Sequence, residues 1–157
     1  MNPDRVVSCQ EDGMFCSADL QKHSFFGGLS QEQIEKIVPL MIRQTHNAGD
    51  TILVEGALND KIHFLVEGKV AVLKGNTLLC ELAEGKIFGE MEVLDIMPSC
   101  ADVKALTDVT VMTISSKSLR EIYQNDLKAF SLIVMNLARD LSRRLRFANE
   151  VVAGGNE

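Results

Sequence analysis

Apolar residues recur along this chain with two periods, and the changeovers divide it into three parts. From Ser30 to Met41 the spacing is helical: Ile34, Ile37, Val38 and Met41 lie on one face. Ser30 followed by Gln33 forms a capping box, in which the hydroxyl accepts a backbone N–H and the amide side chain reaches back. The spacing predicts a helix over 30–41, stopped or kinked near its end by Pro39. Between His46 and Ser115 the period drops to two. Ile62, Phe64 and Val66 alternate with their neighbours, as do Val70 and Val72, then Leu78, Cys80 and Leu82, then Val109 and Val111. Glycines at 49, 56, 68, 75, 85 and 89 punctuate these runs. Short alternating segments with regular turn signals read as an antiparallel barrel or sandwich. Glu67-Gly68 and Gly75-Asn76 fall where tight hairpins are needed.

From Ser116 the period is helical again. A short helix is expected from Ser116 to Gln124 and, after Asn125-Asp126, a long one to about Val152, ended by Gly154-Gly155. Phe130, Val134, Leu137, Leu141, Ala148 and Val151 fall on heptad spacing, with Arg144 the polar break and Leu145 beside it to take its place. Such a stripe predicts a homodimer seam of Phe130, Val134, Leu137, Leu141, Leu145 and Ala148. The expected organisation is a loose N-terminal arm (1–17), a β-roll with flanking short helices (18–125) and a C-terminal dimerisation helix (126–152).

Composition narrows the function classes. A formal net charge of −6 disfavours gripping nucleic acid or an anionic membrane with the whole chain. No apolar run approaches the roughly 20 residues of a membrane span, and the first residues lack a secretion signal, which points to a cytoplasmic protein. Cys9, Cys16, Cys80 and Cys100 form no CxxC pair and no iron–sulfur ligand set, and Cys80 reads as a core strand residue. His23, His46 and His63 lie in separate elements, so no metal site is expected. No nucleophile elbow, phosphate loop or dinucleotide fingerprint occurs, and the chain reads as a binding module, not an enzyme. Arg139, Arg143, Arg144 and Arg146 read as a solvated face complementing the helix dipole, without a frame for DNA contact by this chain alone.

The segment that carries chemistry runs from Phe88-Gly89-Glu90-Met91-Glu92 through Pro98-Ser99-Cys100-Ala101-Asp102-Val103. A glycine follows a strand, a carboxylate follows the glycine, and a short apolar helical turn comes next. Free N–H groups at such a turn attract an anion, and the carboxylate can accept a sugar hydroxyl or simply cap the turn.

With the glycine ladder before it and the long helix after it, this segment resembles the phosphate-binding cassette of the cyclic-nucleotide-binding domains of catabolite activator and FNR-type regulators, kinase regulatory subunits and gated channels. The resemblance covers about residues 20–150. It implies a mainly β fold with flanking α: an antiparallel β-roll or jelly-roll barrel with short N-terminal helices and a long C-terminal helix. It also implies a nucleotide-like pocket at Gly89, Glu90, Met91, Ser99, Cys100 and Ala101, with no cofactor and with a cyclic nucleotide or other small anion as the possible ligand. In the family the glycine amide meets the cyclic phosphate, the glutamate binds the ribose 2′-hydroxyl, and an arginine after the proline pairs with the phosphate. Here Ser99 stands in the arginine's place, Cys100 where Ser or Thr is usual, and Glu92 where a small residue is usual. A lost bidentate pair, at roughly 1.5–3 kcal/mol per charge-assisted contact, weakens binding by about a hundredfold or more. The resemblance therefore implies a dimeric regulatory sensor with weak or altered cyclic nucleotide binding. Its rivals are a structural docking module with a non-functional pocket and the sensor half of a longer transcription regulator.

Overall fold

Two four-stranded antiparallel sheets and the helices that cover one of them make up the chain in a computed structural model that describes residues 17–155. The expected N-terminal arm, with Cys9 and Cys16, lies almost wholly outside the described residues. The chain opens with helix α1 (Ser17–Leu20), a 3₁₀ turn at Ser24–Phe26 and helix α2 (Gln31–Ile37). Strands β1 (Ile42–His46), β2 (Thr51–Leu53), β3 (Lys61–Glu67), β4 (Val70–Lys74), β5 (Thr77–Leu82) and β6 (Ile87–Phe88) follow. Helix α3 (Glu90–Asp95) interrupts the strands before β7 (Asp102–Ala105) and β8 (Val109–Ser115), and α4 (Ser116–Asn125) and α5 (Leu127–Gly154) close the chain.

The capping box at Ser30 is present: Gln33 N–H donates to Ser30 Oγ at 3.2 Å, and Ser30 N–H donates to Gln33 Oε1 at 3.0 Å. The helix predicted over 30–41 stops at Ile37 and tightens into a 3₁₀ turn over Val38–Leu40, where Pro39 supplies no N–H. At the hairpin between β3 and β4, Gly68 has φ 93°, and a Cβ there would lie 2.4 Å from the Asp108 carbonyl. Only glycine satisfies both the left-handed backbone and the close approach.

The sheet orders are β1-β8-β3-β6 and β2-β7-β4-β5, and the register of β3 against β8 pairs Ile62 with Ile114 and Phe64 with Met112. Strands β3 and β8 are central to the first sheet and buried on both faces, so their apolar runs are nearly continuous. Ile62, Phe64, Val66, Met112 and Ile114 meet the helices through Phe26, Ile34, Ile133 and Leu137. Leu65, Val109 and Val111 face the second sheet and meet Leu53, Val70, Phe88 and Val103.

Strand β5 is an edge strand, and its reading needs correction. Cys80 is exposed, and so are Leu78 and Leu79, while only Leu82 reaches the core. Alternation at an edge records a pleat without saying what lies across it.

Helix α5 starts where Asp126 accepts the Ala129 N–H at 3.0 Å and runs for 28 residues. Ala129, Ile133, Asn136 and Leu137 are buried against the roll. The predicted seam is therefore split. Leu137, only 2% exposed, belongs to the chain's own core and has no face left for a second chain. Phe130 and Leu141 are half-buried, Val134 is at the margin of exposure, and Leu145, Ala148 and Val151 face outward. Among the described residues, no helix is long and apolar enough to cross a membrane.

Candidate functional site

The turn from β6 into α3 is set by Gly89, which adopts φ 77° and ψ 6°. A Cβ at this position would lie 2.8 Å from both the Lys61 carbonyl and Asn59 Nδ2, so the turn sits directly on strand β3. Asn59 Nδ2 donates to the Gly89 carbonyl at 3.1 Å and to the Lys61 carbonyl at 2.8 Å, tying turn and strand together. His63 lies beneath, stacked on Phe88 with ring centroids 4.8 Å apart, and its buried Nδ1 has no hydrogen-bond partner. Burial pushes the His63 pKa down to about 4.

Glu90 opens α3 at 1% exposure. Its Oε1 accepts from Arg144 Nη1 of α5 at 2.8 Å, and its Oε2 is buried without a hydrogen bond. Arg144 Nη2 also donates to the Ile87 carbonyl and lies 2.9 Å from Asp140 Oδ2, in an ion-pair contact without hydrogen-bond alignment. Burial raises the Glu90 pKa; Arg144 opposes that rise, and Asp140 and Glu92 add to it. Three buried carboxylates, Glu90, Glu92 and Asp140, thus share this corner with one guanidinium. Cys80 belongs to the same surroundings: desolvation raises its pKa, Arg144 pulls it back, and Glu90 pushes it further up.

The far end of the cassette is built differently. Helix α3 ends at Ile96 in the left-handed region, φ 57° and ψ 40°, with the side chain 85% exposed. A β-branched residue is strained there by about 1–2 kcal/mol. Ser99 is buried; its N–H donates to the Ala57 carbonyl at 2.9 Å, its carbonyl accepts the Gly56 N–H at 2.7 Å, and its Oγ donates to the Ala101 carbonyl at 2.9 Å. The hydroxyl at the arginine's place is thus bonded within its own loop. Lys74, at the end of β4, pairs with Glu55 and donates to the Cys100 carbonyl at 2.8 Å.

Of the residues singled out from sequence, Gly89, Glu90, Ser99 and Ala101 are buried in this segment, while Met91 and Cys100 are exposed. Arg144 corrects the reading of the basic cluster as a solvated face, because its guanidinium is held by Glu90 and Ile87 across 54 and 57 residues of chain. Arg139 stays exposed, donating to Asn136 Oδ1 at 3.3 Å within its own helix. The polar break in the heptad stripe was the signal available for Arg144, but its partner is too distant in sequence to be read from spacing.

A two-sheet roll with a glycine–glutamate turn beneath a long C-terminal helix defines the cyclic-nucleotide-type β-roll class. Residues 43–126, more than half the chain, match the family model described as the cyclic nucleotide-binding domain, and the chain belongs to that family. It is 30% identical over 105 residues to the cGMP-dependent protein kinase egl-4 of Caenorhabditis elegans, a match covering 67% of this chain and 14% of the kinase. It is 29% identical over 129 residues to the cyclic AMP receptor protein of Thermus thermophilus, covering 79% of this chain and 58% of the receptor. The crystal structure of a cyclic nucleotide-binding domain from Methylobacillus flagellatus shares the fold, with a TM-score of 0.79 at 22% identity over 88% of this chain and 80% of that one.

Proposed function

We propose that this chain is a non-catalytic, cytoplasmic regulatory sensor that binds a cyclic nucleotide or similar small ligand weakly at Glu90 and dimerises through the outward face of α5. The observation that carries the reading is the Glu90 corner: a buried carboxylate with one oxygen lacking a hydrogen bond, on a cassette turn held by Gly89 and directly contacted by the long helix. A two-state helix biased by a ligand is what regulation requires.

Weak binding follows from the other end of the cassette. Ser99 brings no charge, and its hydroxyl already has a partner. A ligand stabilises by about RT ln(1 + [L]/Kd), so 1 mM cAMP or cGMP at a millimolar Kd raises Tm by about 1 °C. Ser99→Arg together with Glu92→Ala restores a cation and removes a carboxylate. If Kd falls to about 10 μM, the same ligand concentration gives a shift of roughly 8 °C. Submicromolar binding by the wild type would refute the weak-binding reading. Inertness of both proteins would favour the second reading, a structural docking module, for which Arg144 seated on Glu90 is the favouring observation.

A further inference from the structure

Helices α3, α4 and α5 leave an open hollow of about 330 Å³ between them, and none of Glu90, Ser99 and Arg144 lines it. Its floor belongs to the core: Leu119, Ile133 and Leu137 are all buried. Its walls are apolar side chains that the roll leaves uncovered. Leu94 of α3 is 46% exposed and Tyr123 of α4 is 54% exposed, and Tyr123 stands edge-on to Phe130 of α5 with ring centroids 5.2 Å apart. An exposed apolar hollow with a few polar groups at its rim is the ordinary form of a small-ligand site, and 330 Å³ lies at the small end of the range.

The rim sets the charge of the occupant. Arg120 is the one charged side chain among the lining residues, and among the described residues its guanidinium has no hydrogen bond or ion pair. That is unusual company for an arginine in a chain of net charge −6, and no carboxylate lines the hollow. Ser116 is already engaged, its Oγ donating to the Asp60 carbonyl at 3.2 Å. We propose that this hollow binds a medium-chain carboxylate, with the alkyl tail laid over Leu119, Ile133 and Leu137 and the head group on Arg120. The tail takes Leu94 and Tyr123 out of water, while the head stays at the exposed rim, so no charge is buried unpaired. Ten residues line the hollow, against roughly 20–30 a side in a stable protein interface, so it suits a small molecule and not a protein partner. The site is separate from the Glu90 corner and stands or falls without it.

Calorimetric titration of the full chain with hexanoate, octanoate and decanoate, each below its micellar concentration, should show affinity rising about fourfold per added methylene. Nonanol, which carries the same alkyl tail as decanoate without the charge, should bind about three- to fivefold more weakly, the scale of one exposed ion pair. Arg120→Gln should bring decanoate down to the level of nonanol and leave nonanol unchanged. Val134→Trp fills the hollow from its α5 wall and should abolish binding of both. Arg120 is exposed and unpaired, so its replacement spares the fold and keeps the test sound even if Val134→Trp does not fold. Glu90→Gln should leave all of these affinities unchanged. Equal affinity of the wild type for nonanol and decanoate would overturn the proposal, as would an Arg120→Gln protein that still prefers the acid. Absence of binding by every probe at millimolar concentration would also overturn it. So would affinity that falls as protein concentration and sedimenting mass rise together, because a second copy would then be what covers the hollow.

Discussion

The two halves of α5 carry apolar residues at similar spacing and meet opposite fates. In the first half Ala129, Ile133 and Leu137 are buried against the chain's own roll, and Asn136 donates to the Phe25 carbonyl at 3.0 Å and to the Gly27 carbonyl at 2.9 Å. In the second half Leu145, Phe147, Val151 and Val152 are all more than half exposed. The boundary falls at Arg144, which reaches across to Glu90 and the Ile87 carbonyl while holding Asp140 one turn back on its own helix. A heptad stripe thus states that a helix face will be covered without stating by what. Here the first half is covered by its own domain, and the second is left exposed.

The contrast breaks most visibly under truncation of Leu137. Leu137→Ala should cost about 2–5 kcal/mol in denaturant unfolding through the cavity it leaves. Leu145→Ala should change the stability of the isolated protomer by less than about 0.5 kcal/mol. Equal costs would mean that both halves are packed alike.

Acid tests the other face of β3, where His63 stacks on Phe88 beneath the Gly89 turn. The His63 pKa is lowered to about 4 from an ordinary 6.5, so between those values the unfolded chain binds a proton that the folded chain does not. Stability should therefore be fully present above pH 6.5 and fall as pH drops towards 4, by about 3 kcal/mol at most. His63→Phe should flatten that limb of the pH profile; an unaltered slope would place the acid sensitivity elsewhere.

Asn136→Ala comes next in size. It strips two carbonyls of their donor and should cost about 1–3 kcal/mol, loosening α5 from the turn at Phe25–Gly27. The exposed half is sharpened by Leu145→Asp, which should halve the sedimenting mass of a dimer while hardly moving protomer stability. A protomer mass for the wild type at tens of micromolar would leave the exposed stripe without a second copy to cover it. The smallest effect lies outside the helix: Ile96→Gly relieves a left-handed backbone and should gain roughly 0.5–1 kcal/mol, net of the added freedom of the unfolded chain.

Much of the fold was legible because its determinants are local. Ser30 and Gln33 cap a helix across three residues, Gly68 and Gly75 mark hairpins where they stand, and Asp126 ends one helix and starts the next. The Gly89-Glu90 turn was legible for the same reason. What sequence reading missed depends on distant neighbours. Cys80 alternates like a core residue but lies on an edge strand, Leu137 reads as seam but faces its own roll, and Arg144 finds Glu90 only after the chain has folded.

The two hydrogen bonds donated by Asn136 Nδ2 give α5 a fulcrum. At 1.5 Å per residue, Arg144 stands about 12 Å along the helix from that point and Gly154 about 27 Å. A rigid tilt that carries Arg144 about 2 Å off Glu90 therefore swings the far end by roughly 4–5 Å, nearly the pitch of a helical turn. Such a tilt amplifies displacement more than twofold along the helix, and its long arm carries the apolar residues that the roll leaves uncovered.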